Sequence, residues 1–176
     1  MPALPGATKG KKDEYANVAF GAVTLSAANT LTFSQIQMAI GMFQGIAMLI
    51  HRIAWQPTAT SLREIVAATD SLHMALTSSN RLTAIYDLSD PSIIAQMQII
   101  GIGVAVANEK LPLISDFTML PGGGKLIAAN PLYLAAVSGG FASAAVCRAQ
   151  IDFTFIELAD RDYMELIQAQ FPANVA

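Results

Sequence analysis

Pro121-Gly-Gly-Gly-Lys125 ends a glycine run in lysine, the composition of a loop that cradles phosphate. Such a loop needs a hydroxyl after the lysine to bind magnesium, and a helix whose N-terminus faces the phosphates. Here Leu126 follows Lys125, and residues 124–138 read as strand, turn, strand with Asn130-Pro131 at the turn. The run is expected to be a tight connection built on backbone angles that glycine adopts at low cost. Ser138 in AVSGGF resembles a nucleophile elbow but has Ala136 where that motif requires glycine. Cys147 falls on the apolar face of its strand, the place of a small buried thiol. His51 and His73 stand 22 residues apart, without partners at metal or catalytic spacing. Asp160, Asp162 and Glu165 have the density of a calcium loop, but acids in a first helical turn also cap the helix and complement its dipole. Lys9, Lys11 and Lys12 form a small basic group able to touch nucleic-acid phosphates. No aromatic platform is interleaved with them. No enzyme, metal or cofactor is expected.

The elements that must position these residues belong to an unusually apolar chain. Of its 176 residues 53% are hydrophobic and 13% charged, about half the usual ~25% charge of soluble domains. Residues 15–51 carry no Asp, Glu, Lys or Arg, and neither do residues 126–147. Amides and hydroxyls interrupt both runs, at Asn29, Gln35, Gln37 and Gln44 in the first and at Asn130, Ser138 and Ser143 in the second. Each would be costly in hydrocarbon, so no membrane insertion is expected. The net charge of −3 creates no global attraction to nucleic acid. The single cysteine and the lack of an Asn-x-Ser/Thr acceptor suit an intracellular origin.

Residues 1–14, with two prolines, two glycines and mixed charges, read as a flexible N-terminal arm, and 15–176 as a single domain. The body reads mostly as strands. In residues 143–158, Ala145, Cys147, Ala149, Ile151, Phe153 and Phe155 fall on one face; Val146, Arg148, Gln150, Asp152 and Thr154 fall on the other. In residues 70–78, Leu72, Met74 and Leu76 alternate with Ser71, His73 and Thr77. Residues 43–56 are apolar on both faces, which suits a central strand or one covered by a neighbouring subunit. Further strands are expected near 18–26, 30–37, 81–86, 99–107, 112–119, 124–129 and 132–138. Ser61 with Glu64 reads as a capping box opening a helix to 68, and Asp90-Pro91 as the start of a helix to 98. A last amphipathic helix begins at Asp160 and presents Tyr163, Leu166 and Ile167 on one side.

The expected fold is all-β: a jelly-roll sandwich of about eight strands with two or three short helices, one of them C-terminal. Ile151, Phe153, Phe155, Leu72, Met74, Leu76 and Trp55 are its expected core and assembly residues. The order of parts resembles a small viral coat protein of the single jelly-roll type. The resemblance runs from the arm at 1–14, through LPGGGKLIAANPLYLAAVSGG at 120–140, to the long strand QIDFTFIEL at 150–158 and its closing helix. It implies self-assembly into a closed, icosahedral-type shell, a place in the virion, assembly inside a host cell, and packaged nucleic acid held through the arm. Many coats of this kind carry a longer and more basic arm. A two-sided apolar strand and low charge density also suit obligate interfaces. Closed symmetry would use such patches up and cover strand edges. The alternative is a cupin-like or lectin-like sandwich that binds a small ligand. A cupin would supply a histidine cluster, which two histidines do not; a lectin would expose aromatics, for which Trp55 beside Gln56 is the one hint.

Overall fold

A computed structural model describes residues 16–25, 29–36, 45–58, 61–62, 65, 67, 69–87, 89–101, 113–128 and 131–170. The strands are β1 (Asn17–Leu25), β2 (Thr32–Ile36), β3 (Ile46–Pro57), β4 (Ser71–Thr77), β5 (Ile93–Ile100), β6 (Leu113–Asp116), β7 (Lys125–Ile127), β8 (Leu132–Gly139) and β9 (Ala145–Glu157). A helix, α1 (Asp160–Gln170), closes the described chain.

The strands form two antiparallel sheets. One has the order β1-β9-β3-β6, with β7 also on β3; the other has the order β2-β8-β4-β5. β6 pairs with residues 52–55 of β3 and β7 with residues 48–50, so the two short strands share one edge position. The pairing is nested: β1 lies on β9, β2 on β8, β3 on β6 and β7, and β4 on β5. The all-β sandwich expected from composition and periodicity is what the chain forms.

Period-two patterning sets the inner faces. Leu72, Met74 and Leu76 of β4 are fully buried, as are Ile151 of β9 and, nearly so, Phe153. They meet Trp55, Ile50 and Ile53 from β3 and Leu132 and Leu134 from β8 in one core. Each such side chain contributes about 1.5–3 kcal/mol through removal from water. Phe155 is half-buried and packs edge-to-face on Phe153, with ring centroids 5.0 Å apart. β3 is central, between β9 and the β6/β7 edge, and both of its faces are apolar: Ala47 and Leu49 are buried on one, Met48 and Ile50 on the other.

Two expected elements are replaced. Residues 91–98 are not helical; Pro91 and Ser92 form a turn, and β5 begins at Ile93. The Ile93 amide donates to the Asp90 carbonyl at 3.0 Å and the Ser92 amide to Asp90 Oδ1 at 2.8 Å. Asp then Pro suits the first two positions of a β-turn as well as a helix start. The isoleucines that follow gain more by pairing with β4. Residues 81–86 are not a strand but an irregular segment over the outer face of the second sheet. Ile85 there is buried with Ala75, Ile93 and Ala135, and Leu82 packs alongside. The strand expected over 99–107 is present as far as Ile100; residues 102–110 lie outside the described residues.

Ser61 opens a helical turn but does not cap it. Thr58 does: its Oγ1 accepts from the Ser61 amide at 3.4 Å, and its carbonyl accepts from Leu62 N at 3.1 Å. Ser61 Oγ instead donates across to the Val146 carbonyl at 2.9 Å. The other half of the expected capping box, Glu64, lies outside the described residues. α1 begins at Asp160 as expected, with Tyr163, Leu166 and Ile167 half-buried.

Candidate functional site

The glycine run is a turn. Gly122 and Gly123 have φ of 90° and 77°, angles that strain any residue with a Cβ. Gly124 serves a different need, because a Cβ there would stand 2.7 Å from the Ile50 carbonyl oxygen. Lys125 does not face an open anion site. Its Nζ donates to the Ile94 carbonyl of β5, tying the edge of one sheet to the edge of the other, and burial pushes its pKa down.

The remaining chemistry-bearing residues are dispersed. His51 sits at a bulge where the β3–β9 register shifts, and its Nδ1 and Nε2 engage Gly123 and Thr154. His73 stands on the other sheet, edge-on to Tyr86 at 5.6 Å and 3.3 Å from the Gln98 amide. Ser138 is buried and donates to Asn29 Oδ1 at 3.0 Å, and the same oxygen accepts from the Phe141 amide at 3.0 Å. Asn29 therefore latches the chain before β2 to the β8–β9 turn, at a left-handed φ of 54° that asparagine tolerates. Cys147 is fully buried, which pushes its thiol up to about 11 although Ser61 opposes the shift. Asp160 and Asp162 lie in the first turn of α1, and Glu165 pairs with Arg161 at 3.0 Å. Among the described residues no three His, Cys, Asp or Glu side chains are placed to hold a metal. Lys9, Lys11 and Lys12 lie outside the described residues.

Trp55 is buried and donates from Nε1 to Ser115 Oγ at 2.9 Å, so it is a core residue and not an exposed binding platform. The apolar side chains that do face solvent lie elsewhere. β1 buries Ala19, Gly21, Val23 and Leu25 and turns Val18, Phe20, Ala22 and Thr24 outward. Phe20 is 70% exposed, and β1 is an edge strand with β9 as its one sheet partner among the described residues. Its outer face is rimmed by polar groups: Phe20 is in register with Gln150 and Val18 with Asp152, which accepts from Gln150 Nε2 and pairs with Arg52 at 2.6 Å. At the end of the same sheet, Met119 is 92% exposed beside exposed Leu120, on the loop leading into Pro121. That tip is held firmly: Thr118 N and Oγ1 both donate to Asp116 Oδ1, and Gly123 N donates to the Leu120 carbonyl at 2.8 Å. Sequence reading missed these residues because β1 is apolar on both faces, so its pattern does not say which side chains are left outward.

No family model matches the chain, and no curated protein matches it. A solved chain from Bacillus endospore appendages, a novel family of disulfide-linked pili, aligns over 90% of this chain and 100% of its own, at 9% identity and a TM-score of 0.34. A likeness at that score carries no argument about fold or function. Among the described residues no helix is long and apolar enough to cross a membrane.

Proposed function

We propose that this chain is a structural coat protein, non-enzymatic, whose sandwich is a jelly roll and whose copies assemble into a closed shell as part of a virion built inside a host cell. The observation that carries this reading is the nested pairing of first strand with last, second with second-last, and so on to β4 with β5. A chain paired in that way is one long hairpin wrapped into two sheets, the architecture of shell-forming jelly rolls. The outward apolar side chains add a physical argument to this fold analogy. Phe20, Val18, Met119 and Leu120 face solvent, the first two in register with polar Gln150 and Asp152, and burial against other copies would cover this apolar surface together with the outer edge of β1. Lys9, Lys11 and Lys12 would then reach packaged nucleic acid from the arm. Against the alternative of a ligand inside the sandwich stands the filling of that interior by Trp55, Ile53, Met74 and their neighbours.

The test is size in detergent-free solution: chromatography with light scattering, followed by negative-stain images. Uniform particles of many subunits are expected. A discrete monomer, dimer or trimer overturns the shell reading.

A further inference from the structure

The segment between β4 and β5 arches over the outer face of the second sheet and leaves a groove of about 680 Å³ beneath and beside it. The groove is open to solvent and lined mainly by polar groups, a setting for a hydroxyl-rich ligand and not for an apolar one. The groove is built on fixed supports. Ser78 N donates to the Ser92 carbonyl at 2.9 Å and closes the base of the arch, while buried Ile85 anchors its middle on Ala75, Ile93 and Ala135. Asp87 Oδ1 accepts from both Ser89 Oγ and Ser89 N, at 2.6 and 2.9 Å, and Asp90 Oδ1 accepts from Ser92 N. Each carboxylate is thereby oriented by one oxygen, and its other oxygen has no partner among the described residues. The guanidinium of Arg81 and the side-chain amide of Asn80 also line the groove without such partners, and half-buried Tyr133 of β8 and Leu82 add apolar surface to its lining.

We infer that this groove is a binding site for a neutral saccharide. A sugar hydroxyl both donates and accepts, so vicinal hydroxyls answer a carboxylate and a guanidinium together, through charge-assisted bonds. The C–H face of a pyranose fits the apolar surface of Tyr133 and Leu82. Charge selects among ligand classes. One cation against two carboxylates leaves the groove net negative, which disfavours phosphate, sulfate and sialic acid groups. The Ser89 hydroxyl and then its amide hold the Asp87 carboxyl below the usual carboxylate range, so the acceptor stays ionised at neutral pH.

Saturation-transfer NMR on the full chain tests this, with methyl glycosides of glucose, galactose and N-acetylglucosamine as neutral probes and sialyllactose as the anionic one. At least one neutral glycoside is expected to bind, and Asp87→Asn and Arg81→Ala are each expected to weaken it by about tenfold or more. Both side chains are exposed, so the variants should melt with the parent chain. Silence from all the neutral probes overturns the inference. So does binding that survives both substitutions, binding confined to sialyllactose, or binding abolished by EDTA, which would put a cation between the side chains and the sugar.

Discussion

His51 Nδ1 donates to the Gly123 carbonyl at 2.7 Å, so a histidine in a strand bulge holds the glycine loop by its backbone. A carbonyl cannot donate, so Nδ1 carries a proton, and Nε2 is hydrogen-bonded to Thr154 Oγ1 at 3.0 Å. His51→Phe keeps the ring but leaves the Gly123 carbonyl and the buried Thr154 hydroxyl without this partner. The expected cost is about 1–3 kcal/mol in urea unfolding, with faster amide exchange at Gly122–Lys125. Unchanged stability and exchange would show that the bond holds nothing.

The glycines of that loop should differ in an order that backbone angle alone does not give. A Cβ on Gly122 meets nothing within 4 Å, so Gly122→Ala costs only the strain of its positive φ, about 1 kcal/mol. A Cβ on Gly124 runs into the Ile50 carbonyl and the Leu49 side chain, so Gly124→Ala should cost more. Equal midpoints in chemical denaturation would refute this account of Gly124.

Phe153 and Phe20 separate folding from assembly. Phe153 is 4% exposed, and Phe153→Asp puts an unpaired charge into the core, so no soluble folded protein is expected. Phe20→Asp changes an outward side chain; the chain should fold, with a normal circular dichroism spectrum, yet fail to form large particles. Intact particles from Phe20→Asp would remove β1 from the proposed interface.

Acidification should destabilise the second sheet through His73. Burial lowers its pKa in the folded state, so the unfolded chain binds the proton more readily. Stability is therefore full above the unfolded value near 6.5 and falls as pH drops from there toward the lower folded value. Melting temperatures between pH 7.5 and 5.5 should fall less in His73→Gln than in the parent chain. Parallel curves would assign the acid sensitivity to other groups.

Cys147 should be chemically silent in the native state. With its thiol pushed up to about 11, roughly one molecule in a thousand carries a thiolate at pH 8, and the sulfur is buried. A colorimetric disulfide reagent is expected to react only as fast as the chain opens. Immediate stoichiometric reaction of native protein would contradict the burial.

Much of the fold was legible because its signals are local. The alternation of Ala145 through Phe155, and of Leu72, Met74 and Leu76, declares strands and their buried faces, since adjacent side chains on an extended backbone must point opposite ways. Pro121–Lys125 could likewise be read as a turn, because Leu126 lacks the hydroxyl that magnesium needs and glycine is the cheap residue at positive φ.

Other features were decided in three dimensions. Asp90-Pro91 suits a helix start and a β-turn equally, and pairing with β4 chose the turn. Ser61 and Thr58 can both cap, and the Val146 carbonyl, 85 positions along the chain, drew the serine away. The groove joins Arg81, Asp87 and Asp90 to Tyr133, residues no local pattern relates. Periodicity and turn chemistry act between near neighbours, so the sequence by itself determined the strongly alternating strands and their facing, but not β5 or the irregular segment over 81–86. Which strands pair, which apolar side chains are left outward and which polar groups converge depend on contacts between distant segments, and the tertiary structure alone decided them.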